Sequence, residues 1–319
     1  MKRFVCKVSV LTLCVIFIIS GFNQVYIYRS EYDPYNTGKY KQMPDRIQIS
    51  NVGSSHGEYG FCYKEYEKTY GCFNFGLSSQ SLSYDYRVIK DYEDHFEEDG
   101  IMFIVVSYWS FYGNDETEDE NFQAKNKRYY SILSARNIKD YEWQKSIYYK
   151  YFPILGAGSN LIPTLMQSNS SNMEVNWNRS AAEVEKSVLE EDAESAVKRH
   201  ITDRKEIVNE KEINALYDII DFCKDRGIKP ILVTTPYTDV YNEKVPVEFL
   251  KSFHEIVETV QEECGVEYYD YADDIRFCKN YDLFLNADHL NKKGAQLFTK
   301  ILVEDQKEFV EKGNVKNED

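Results

Sequence analysis

Short apolar runs alternate along the chain with longer stretches in which apolar and charged residues recur at helical spacing. Nearly continuous apolar runs are typical of buried β-strands, and five of them cover residues 46–52, 70–76, 101–107, 229–235 and 266–272. Apolar residues three and four positions apart are typical of amphipathic helices, and four such stretches cover residues 81–98, 211–227, 247–264 and 292–312. Apolar strands that alternate with helices predict an α/β fold with a parallel sheet covered on both faces.

Ligands of such sheets bind beyond the carboxyl ends of the strands. The loops after residues 52, 76, 107, 235 and 272 are therefore expected to carry the chemistry. The alternation breaks at about 113–204, where acidic, tyrosine-rich basic, polar and again acidic sequence follow one another. This stretch predicts an insertion beside the sheet, either a lid over the site or a stabilising subdomain.

The first 28 residues form a separate region of the sequence. Lys2, Arg3 and Lys7 precede an apolar run from Val8 to Phe22, and a polar, tyrosine-rich stretch follows. This pattern is typical of a signal peptide or a membrane anchor. No pair of small residues marks a cleavage site, so we expect an uncleaved single-pass anchor. The amino-terminal positive charge then places the domain at 40–319 outside the cytoplasm.

Composition narrows the possible partners. A net charge of −15 and a pI near 4.9 argue against nucleic acid, because binding phosphates requires a basic surface. The 27 tyrosines suit a sugar-binding surface and ordinary packing equally. No CxxC, HxH or HExxH spacing indicates a metal site, and no cofactor is expected. The seven cysteines predict either buried thiols or disulfides, with Cys62/Cys72 and Cys264/Cys278 as candidate pairs.

The turn after the first predicted strand reads NVGSSHGEYGF, residues 51–61. Gly53 with Ser54 or Ser55 is ordinary chemistry for a strand-to-helix turn. A serine on such a turn is also how hydrolase folds expose a nucleophile. Its partner is His289, which lies just before the last predicted helix and follows Asn286 and Asp288. The fold predicts that Ser55 and His289 meet at the carboxyl edge of the sheet.

These residues resemble the conserved blocks of SGNH/GDSL hydrolases. VGSSHG matches the first block with Ser55 as nucleophile, Gly76 in NFGLSSQS matches the second, and NADH matches the DxxH block with Asn286 at its acidic position. The third block is not met, because Asn114 lacks the glycine two residues before it. The resemblance spans about 46–112 and 205–305. Within this superfamily the chain resembles more specifically the membrane-anchored members that take part in acylating extracellular polymers. These are the D-alanine transfer proteins of lipoteichoic acid synthesis and the alginate O-acetylation proteins.

The resemblance implies a flavodoxin-like three-layer α/β/α fold and a serine nucleophile. His289 would act as base, and Asp288 or Asn286 would orient it. The backbone N–H groups of Ser55 and Gly76 would form the oxyanion hole, with a side-chain donor from Gln80, Ser107 or Tyr108.

The other four histidines are not expected to be the main base. His56 is a less favoured base, expected to point elsewhere in the turn. His95 and His254 are predicted on solvated helix surfaces. His200 is expected to be exposed, with substrate contact as the alternative.

The implied function is an extracytoplasmic serine esterase or O-acyltransferase that acts on a cell-envelope polysaccharide or teichoic acid. A membrane-bound O-acyltransferase is the implied donor partner. The alternative is a scaffold of the same fold that binds glycan or an acylation partner without turnover, which Asn286 and the unmet third block favour.

Overall fold

The computed structural model describes residues 1–29, 37–113, 126–166, 177–204 and 207–306. The chain divides into two compact units. Unit 1 comprises residues 1–40 and 123–175, and unit 2 comprises residues 41–122 and 176–319. All the predicted strands and site residues belong to unit 2.

Unit 2 is built on a five-stranded sheet in which every strand pair is parallel. The strands are β1 Ile47–Val52, β2 Cys72–Asn74, β3 Phe96–Val105, β4 Lys229–Thr234 and β5 Glu267–Asp270. Their spatial order is β2-β1-β3-β4-β5. This is the flavodoxin-like order, so the predicted three-layer α/β/α fold and its five strands are confirmed.

Helices separate the strands and cover the sheet. The α-helices of the described residues are α1 Lys2–Arg29, α2 Ser55–Gly60, α3 Leu82–Asp91, α4 Tyr129–Ile132, α5 Trp143–Ser146, α6 Leu161–Met166, α7 Lys186–His200, α8 Glu210–Asp225, α9 Asp239–Asn242, α10 Val247–Cys264 and α11 Lys292–Asp305. Short 3₁₀ helices lie at Thr37–Gln42, Tyr63–Glu65, Glu93–His95, Ala135–Asn137, Pro153–Gly156, Gly158–Asn160, Ala181–Glu183, Thr202–Arg204 and Tyr281–Leu283, and a π-helical turn at Ile147–Tyr151.

Two sets of helices pack around the sheet. α8 contacts both α3 and α10, whereas α11 contacts α2. All six residues of β1 are buried, as are the last six of β3. A strand buried on both faces reads as a continuous apolar run, which is why the sequence predicts the central strands so directly.

The predicted helix at 81–98 is wrong in its second half. Ser81 accepts a hydrogen bond from the Tyr84 N–H and caps α3, but the helix ends at Asp91. Phe96 begins β3 and packs against the rings of Phe75 and Phe222. Tyr92 and Phe96 are four residues apart, which is a helical spacing, although Phe96 belongs to the sheet. The predicted helix at 292–312 is described only to Asp305, and residues 307–312 lie outside the described residues.

The cysteines are free thiols, so neither candidate disulfide is present. Cys72 and Cys223 are buried in unit 2, and burial raises the pKa of Cys72 to about 12. The interpretation as buried thiols holds for these two residues and for Cys278, which is also buried.

Unit 1 contains α1, whose residues Lys2–Ile27 are long and apolar enough to cross a membrane. Its length and composition match a signal sequence as well as a membrane span.

Candidate active site

The turn between β1 and α2 is tightly constrained at Gly53. Its φ of +139° is a backbone conformation that side chains disfavour, and its N–H donates to the Asp85 carboxylate at 2.9 Å. A Cβ at this position would come within 2.8 Å of the Val105 Cβ. The chain therefore turns sharply against β3, and Ser55 becomes the first residue of α2 at the carboxyl edge of the sheet.

Gly53→Ala is expected to lower the free energy of unfolding by about 2–4 kcal/mol, because it combines backbone strain with a steric clash. Gly265→Ala is the matched control. Gly265 has a φ of +63° but no neighbouring atom within 4 Å of an added Cβ, so about 1 kcal/mol of backbone strain is expected. Urea unfolding of the full chain in detergent measures both variants, and equal losses would contradict the predicted clash.

Ser55 and His289 come together although 234 residues separate them. The His289 Nε2 lies 2.8 Å from the Ser55 Oγ. On the other side of the ring, Nδ1 lies 2.9 Å from the Asp288 Oδ1 and 3.1 Å from the Asn286 Oδ1. This is the hydrogen-bond sequence of a serine nucleophile, its base and the group that orients the base.

Asn286 folds the loop that carries the pair. Its side-chain oxygen accepts hydrogen bonds from the backbone N–H of His289 at 2.9 Å and of Asp288 at 3.3 Å. Asn291 ends the loop by capping α11, since its side chain accepts from the Gly294 N–H at 3.0 Å. This turn brings the side chain of Asp288 against the ring of His289, its neighbour in the chain. The Asn286 side chain reaches the same ring nitrogen.

Asp288 is fully buried and meets two further imidazoles. Its Oδ2 lies 3.4 Å from the His56 Nε2 and 3.6 Å from the His200 Nδ1. The His56 Nδ1 in turn lies 2.9 Å from the Ser107 Oγ and 3.0 Å from the Tyr237 hydroxyl. The outer edge of the carboxylate is thereby lined by two histidines whose ring nitrogens face groups other than the Ser55 hydroxyl.

The protonation states of this cluster follow from its burial. Burial alone would raise the pKa of Asp288, but the charge and hydrogen bond of His289 and the hydrogen bond of His56 hold that pKa well below its usual value. Burial lowers the pKa of His56 to about 4 and that of His200 to about 2. Asp288 is therefore a carboxylate at neutral pH, and His56 and His200 are neutral rings.

The tautomers of the neutral rings follow from their partners. The Arg199 Nε donates to the His200 Nε2 at 3.4 Å, which leaves the proton on Nδ1, directed at Asp288. A hydroxyl that donates to the His56 Nδ1 leaves the single ring proton on Nε2, which also faces Asp288. The carboxylate thus accepts hydrogen bonds or polar contacts from three rings, and these fix its orientation toward His289.

Buried neutral histidines make stability depend on pH. The unfolded chain, whose histidines titrate near 6.5, takes up protons that the folded rings do not. Stability is therefore fully present above about pH 6.5 and is lost as the pH falls toward the folded values. Lowering the pH from about 7 to about 5 is expected to cost about 2 kcal/mol for each of His56 and His200. The depressed pKa of Asp288 adds no slope in this window.

Urea unfolding at the two pH values measures this loss. The double variant His56→Gln/His200→Gln is expected to show a much smaller difference between pH 7 and pH 5. His95→Gln is the control and should keep the wild-type difference. A double variant with the wild-type difference would show that these two rings are not the source.

Two of the predicted oxyanion donors, Gly76 and Gln80, form hydrogen bonds within the protein. A third is the Ser55 N–H. The Gly76 N–H donates to the Asn74 side chain at 2.8 Å, and the Gln80 amide donates to the Phe75 carbonyl and the Asp85 carboxylate. A Cβ on Gly76 would lie 2.5 Å from the Glu58 nitrogen. Gly76 thus permits the close packing of α2 on the β2 loop. The Ser55 N–H stands at the first position of α2, where helix donors have no intrahelical acceptor.

Ser107 and Tyr108, the other candidate donors, serve the buried side of the site. The Ser107 hydroxyl contacts His56, and the Tyr108 ring packs against Tyr237 and Phe253. Asn114 lies outside the described residues.

The expectation for His200 is wrong, because it is buried, stacks on Trp109 with ring centroids 3.8 Å apart, and faces Asp288. His56 does point away from Ser55 as predicted, but into the cluster rather than into the turn. His95 and His254 are both half-buried, bonded to the Pro44 carbonyl and the Asp270 carboxylate.

A signal for His200 exists in the sequence. The buried residues of α7 recur at helical spacing, and His200 continues their stripe at its end: Leu189, Ala193, Ala196, Val197 and His200. Ser107 and Tyr237 follow β3 and β4, in loops where the parallel sheet predicts chemistry. Nothing in the sequence pairs them with His56.

Among the described residues, His56, Asp288 and His289 are the group dense enough to offer ligand atoms to a metal ion, all within 4.8 Å of one another. The Asp288 to His289 contact of 2.9 Å is a hydrogen-bond length, and it belongs to the Ser55 arrangement. The expectation of no metal site stays a prediction.

No protein-family model matches the chain, and no curated protein matches it. Among solved structures, a proposed acylhydrolase from Bacteroides fragilis aligns with 86% of this chain and 95% of its own, at 10% identity and a TM-score of 0.40. A proposed platelet activating factor from Streptococcus pneumoniae aligns with 96% and 99%, at 10% identity and a TM-score of 0.39. At this level of similarity, the function must be argued from the site of this chain.

Proposed function

We propose that the protein is a serine esterase or O-acyltransferase of the SGNH type that works through an acyl-serine intermediate. The observation that carries the proposal is the 2.8 Å contact between the Ser55 Oγ and the His289 Nε2, with the Asp288 carboxylate behind the ring. A serine hydroxyl is a weak nucleophile at neutral pH, and this arrangement supplies the base that it needs.

The reaction follows from these contacts. The Ser55 Oγ attacks the acyl carbonyl carbon while His289 Nε2 accepts the hydroxyl proton, and Asp288 stabilises the resulting imidazolium. The ester bond then breaks, and His289 returns the proton to the leaving alcohol. Water or a sugar hydroxyl attacks the acyl carbon while His289 takes its proton, and the proton passes to the Ser55 Oγ as the bond between that oxygen and the acyl group breaks. The choice between water and sugar decides between hydrolysis and transfer.

The acceptor that we propose is a cell-envelope polysaccharide or teichoic acid outside the cytoplasm. Three properties support this proposal: the resemblance to polymer-acylating proteins, the apolar α1 with its amino-terminal positive charge, and a ring beside the base. Tyr59 is half-buried and meets His289 edge-on, with ring centroids 5.5 Å apart, and aromatic faces suit sugar rings. A membrane-bound O-acyltransferase is the proposed donor partner.

One observation favours the scaffold alternative. The N–H of Gly76 and the amide of Gln80 are directed away from Ser55, and oxyanion stabilisation is usually a large part of acyl-transfer catalysis. A protein of this fold without turnover would bind glycan or an acylation partner instead.

Covalent trapping tests the proposal. The full-length protein in detergent is incubated with p-nitrophenyl acetate, quenched in acid and digested. Mass spectrometry is expected to find an acetyl group on the peptide that contains Ser55. His289→Ala should abolish the adduct, because the base is lost. Absence of both the adduct and p-nitrophenol release, also with a fluorophosphonate probe, would favour the scaffold.

A further inference from the structure

Residues 143–166 form a segment of unit 1 that is fastened to α1. The Asn23 side chain is almost completely buried, and its amide donates to the Tyr151 carbonyl at 3.1 Å. The Ile154 N–H donates back to the Asn23 oxygen at 3.2 Å. The 3₁₀ helix at Pro153–Gly156 and α6 also contact α1. Two reciprocal hydrogen bonds and these contacts fix the height of the segment along the helix.

Asn23, to which the segment is bonded, directly follows the apolar part of α1. The helix is exposed from Lys2 to Ile18, and its apolar run ends at Phe22. The apolar run of residues 8–22 extends over about 22 Å of helix. Lys7, directly before it, has a side chain long enough to reach the headgroups at the opposite surface of the bilayer. Asn23 then stands where α1 leaves the hydrocarbon, so the segment bonded to it would lie at the level of the lipid headgroups.

The segment exposes an unusual set of apolar and aromatic side chains. Their exposed fractions are 63% for Trp143, 44% for Tyr148, 60% for Tyr151, 51% for Leu155, 68% for Ile162 and 79% for Met166. Clusters of exposed apolar residues mark surfaces that contact a protein or a membrane. Trp and Tyr concentrate where the bilayer meets water.

Charge also distinguishes the segment from the rest of the chain. Residues 143–166 contain Lys145 and Lys150 and no aspartate or glutamate, in a protein with a net charge of −15. Lys145 is paired with the Glu142 carboxylate just before the segment, whereas Lys150 is exposed. A lysine beside an apolar surface places its stem on that surface and reaches lipid phosphates with its ammonium group. The strongly acidic remainder of the chain would be repelled from such phosphates.

We propose that residues 143–166 lie in the outer surface of the lipid bilayer, with Trp143, Tyr151, Leu155, Ile162 and Met166 inserted among the acyl chains and headgroups. The protein would then hold the membrane by two elements, the spanning α1 and an interfacial segment bonded to its outer end. This inference rests on the proposed anchoring by α1.

Tryptophan quenching by brominated lipid tests the insertion. The full-length protein is reconstituted into phosphatidylcholine vesicles with and without phosphatidylcholine brominated near the headgroup end of the acyl chain. Bromine quenches only fluorophores that contact the lipid. The chain has three tryptophans, so Trp143→Phe is expected to remove most of the quenchable emission. Trp177→Phe is the matched control and should retain it.

Two failures are distinguishable in this experiment. Flotation of the vesicles reports anchoring by α1, which contains no tryptophan. Protein that fails to float would overturn the anchoring and the inference together. Protein that floats but shows equal quenching with and without Trp143 would overturn the inference alone, and would assign the exposed patch to another component of the membrane.

Discussion

Ser55→Ala is expected to lower kcat/KM for p-nitrophenyl acetate by at least a factor of about 10⁴, because it removes the hydroxyl that His289 contacts and that we propose as the nucleophile. Alanine keeps the helix start at α2, and Ser55 is half-buried in its first turn. Folding should therefore be preserved, and a pH-stat or p-nitrophenol assay on the full chain measures the loss directly.

Ser54→Ala is the matched control for this substitution. The Ser54 Oγ is buried without a hydrogen-bond partner, and the residue holds the N-cap position without capping α2. Its removal should change kcat/KM by less than about threefold, since nothing bonded to the hydroxyl is lost. Equal activity of Ser55→Ala and the wild type would overturn Ser55 as the nucleophile, and a large loss in Ser54→Ala alone would move that role to Ser54.

Asp288→Asn is expected to lower kcat by a factor on the order of 10⁴. The carboxylate accepts hydrogen bonds from the ring nitrogens of His289 and His56, and the His200 ring lies 3.6 Å from it. An amide in its place offers one acceptor oxygen and turns an NH₂ group toward an imidazole N–H. His289 would then lose both the charge that stabilises its cation and the acceptor that fixes its tautomer. A folded variant that retains activity at high pH only would agree with this role.

Asn286→Ala provides the comparison. Asn286 contacts the same His289 nitrogen at 3.1 Å but contributes no charge. Its loss should cost about tenfold in kcat, because the backbone turn it holds loosens while the Asp288 contact persists. Circular dichroism checks that both variants fold. If Asn286→Ala lost more activity than Asp288→Asn, Asn286 would be the principal orienting group.

The sequence predicts the sheet and the order of its elements because burial dominates their residues. The last six residues of β3 and the last four of β4 are buried and mostly apolar, and β1 alternates buried Ile47 and Ile49 with buried polar residues. The rule that parallel strands carry chemistry at their carboxyl ends then places Ser55 and His289 on the same edge. Their 2.8 Å contact follows from topology that the pattern already contains.

The surroundings of Asp288 could not be predicted in the same way. His56 and His200 lie on different elements, and their meeting depends on how α7 packs in unit 2. His200 continues the buried stripe of α7, but its charged neighbours made it resemble an exposed residue, and the stripe does not say which side chains it meets. The partners of Gly76 and Gln80 could not be predicted for a related reason, since the sequence does not show that Asn74 and Asp85 accept from their donors.

The strand order has a consequence for how this site could change. Ser55 follows β1 and Ser107 follows β3, the adjacent strands from which the connections run to opposite sides of the sheet. Diverging connections leave a crevice at this topological switch point without any added loop. Ser55, the proposed nucleophile, therefore lies at a crevice that the order of the strands creates. A change in the length or sequence of the other connections could alter which substrate binds and would leave this crevice in place.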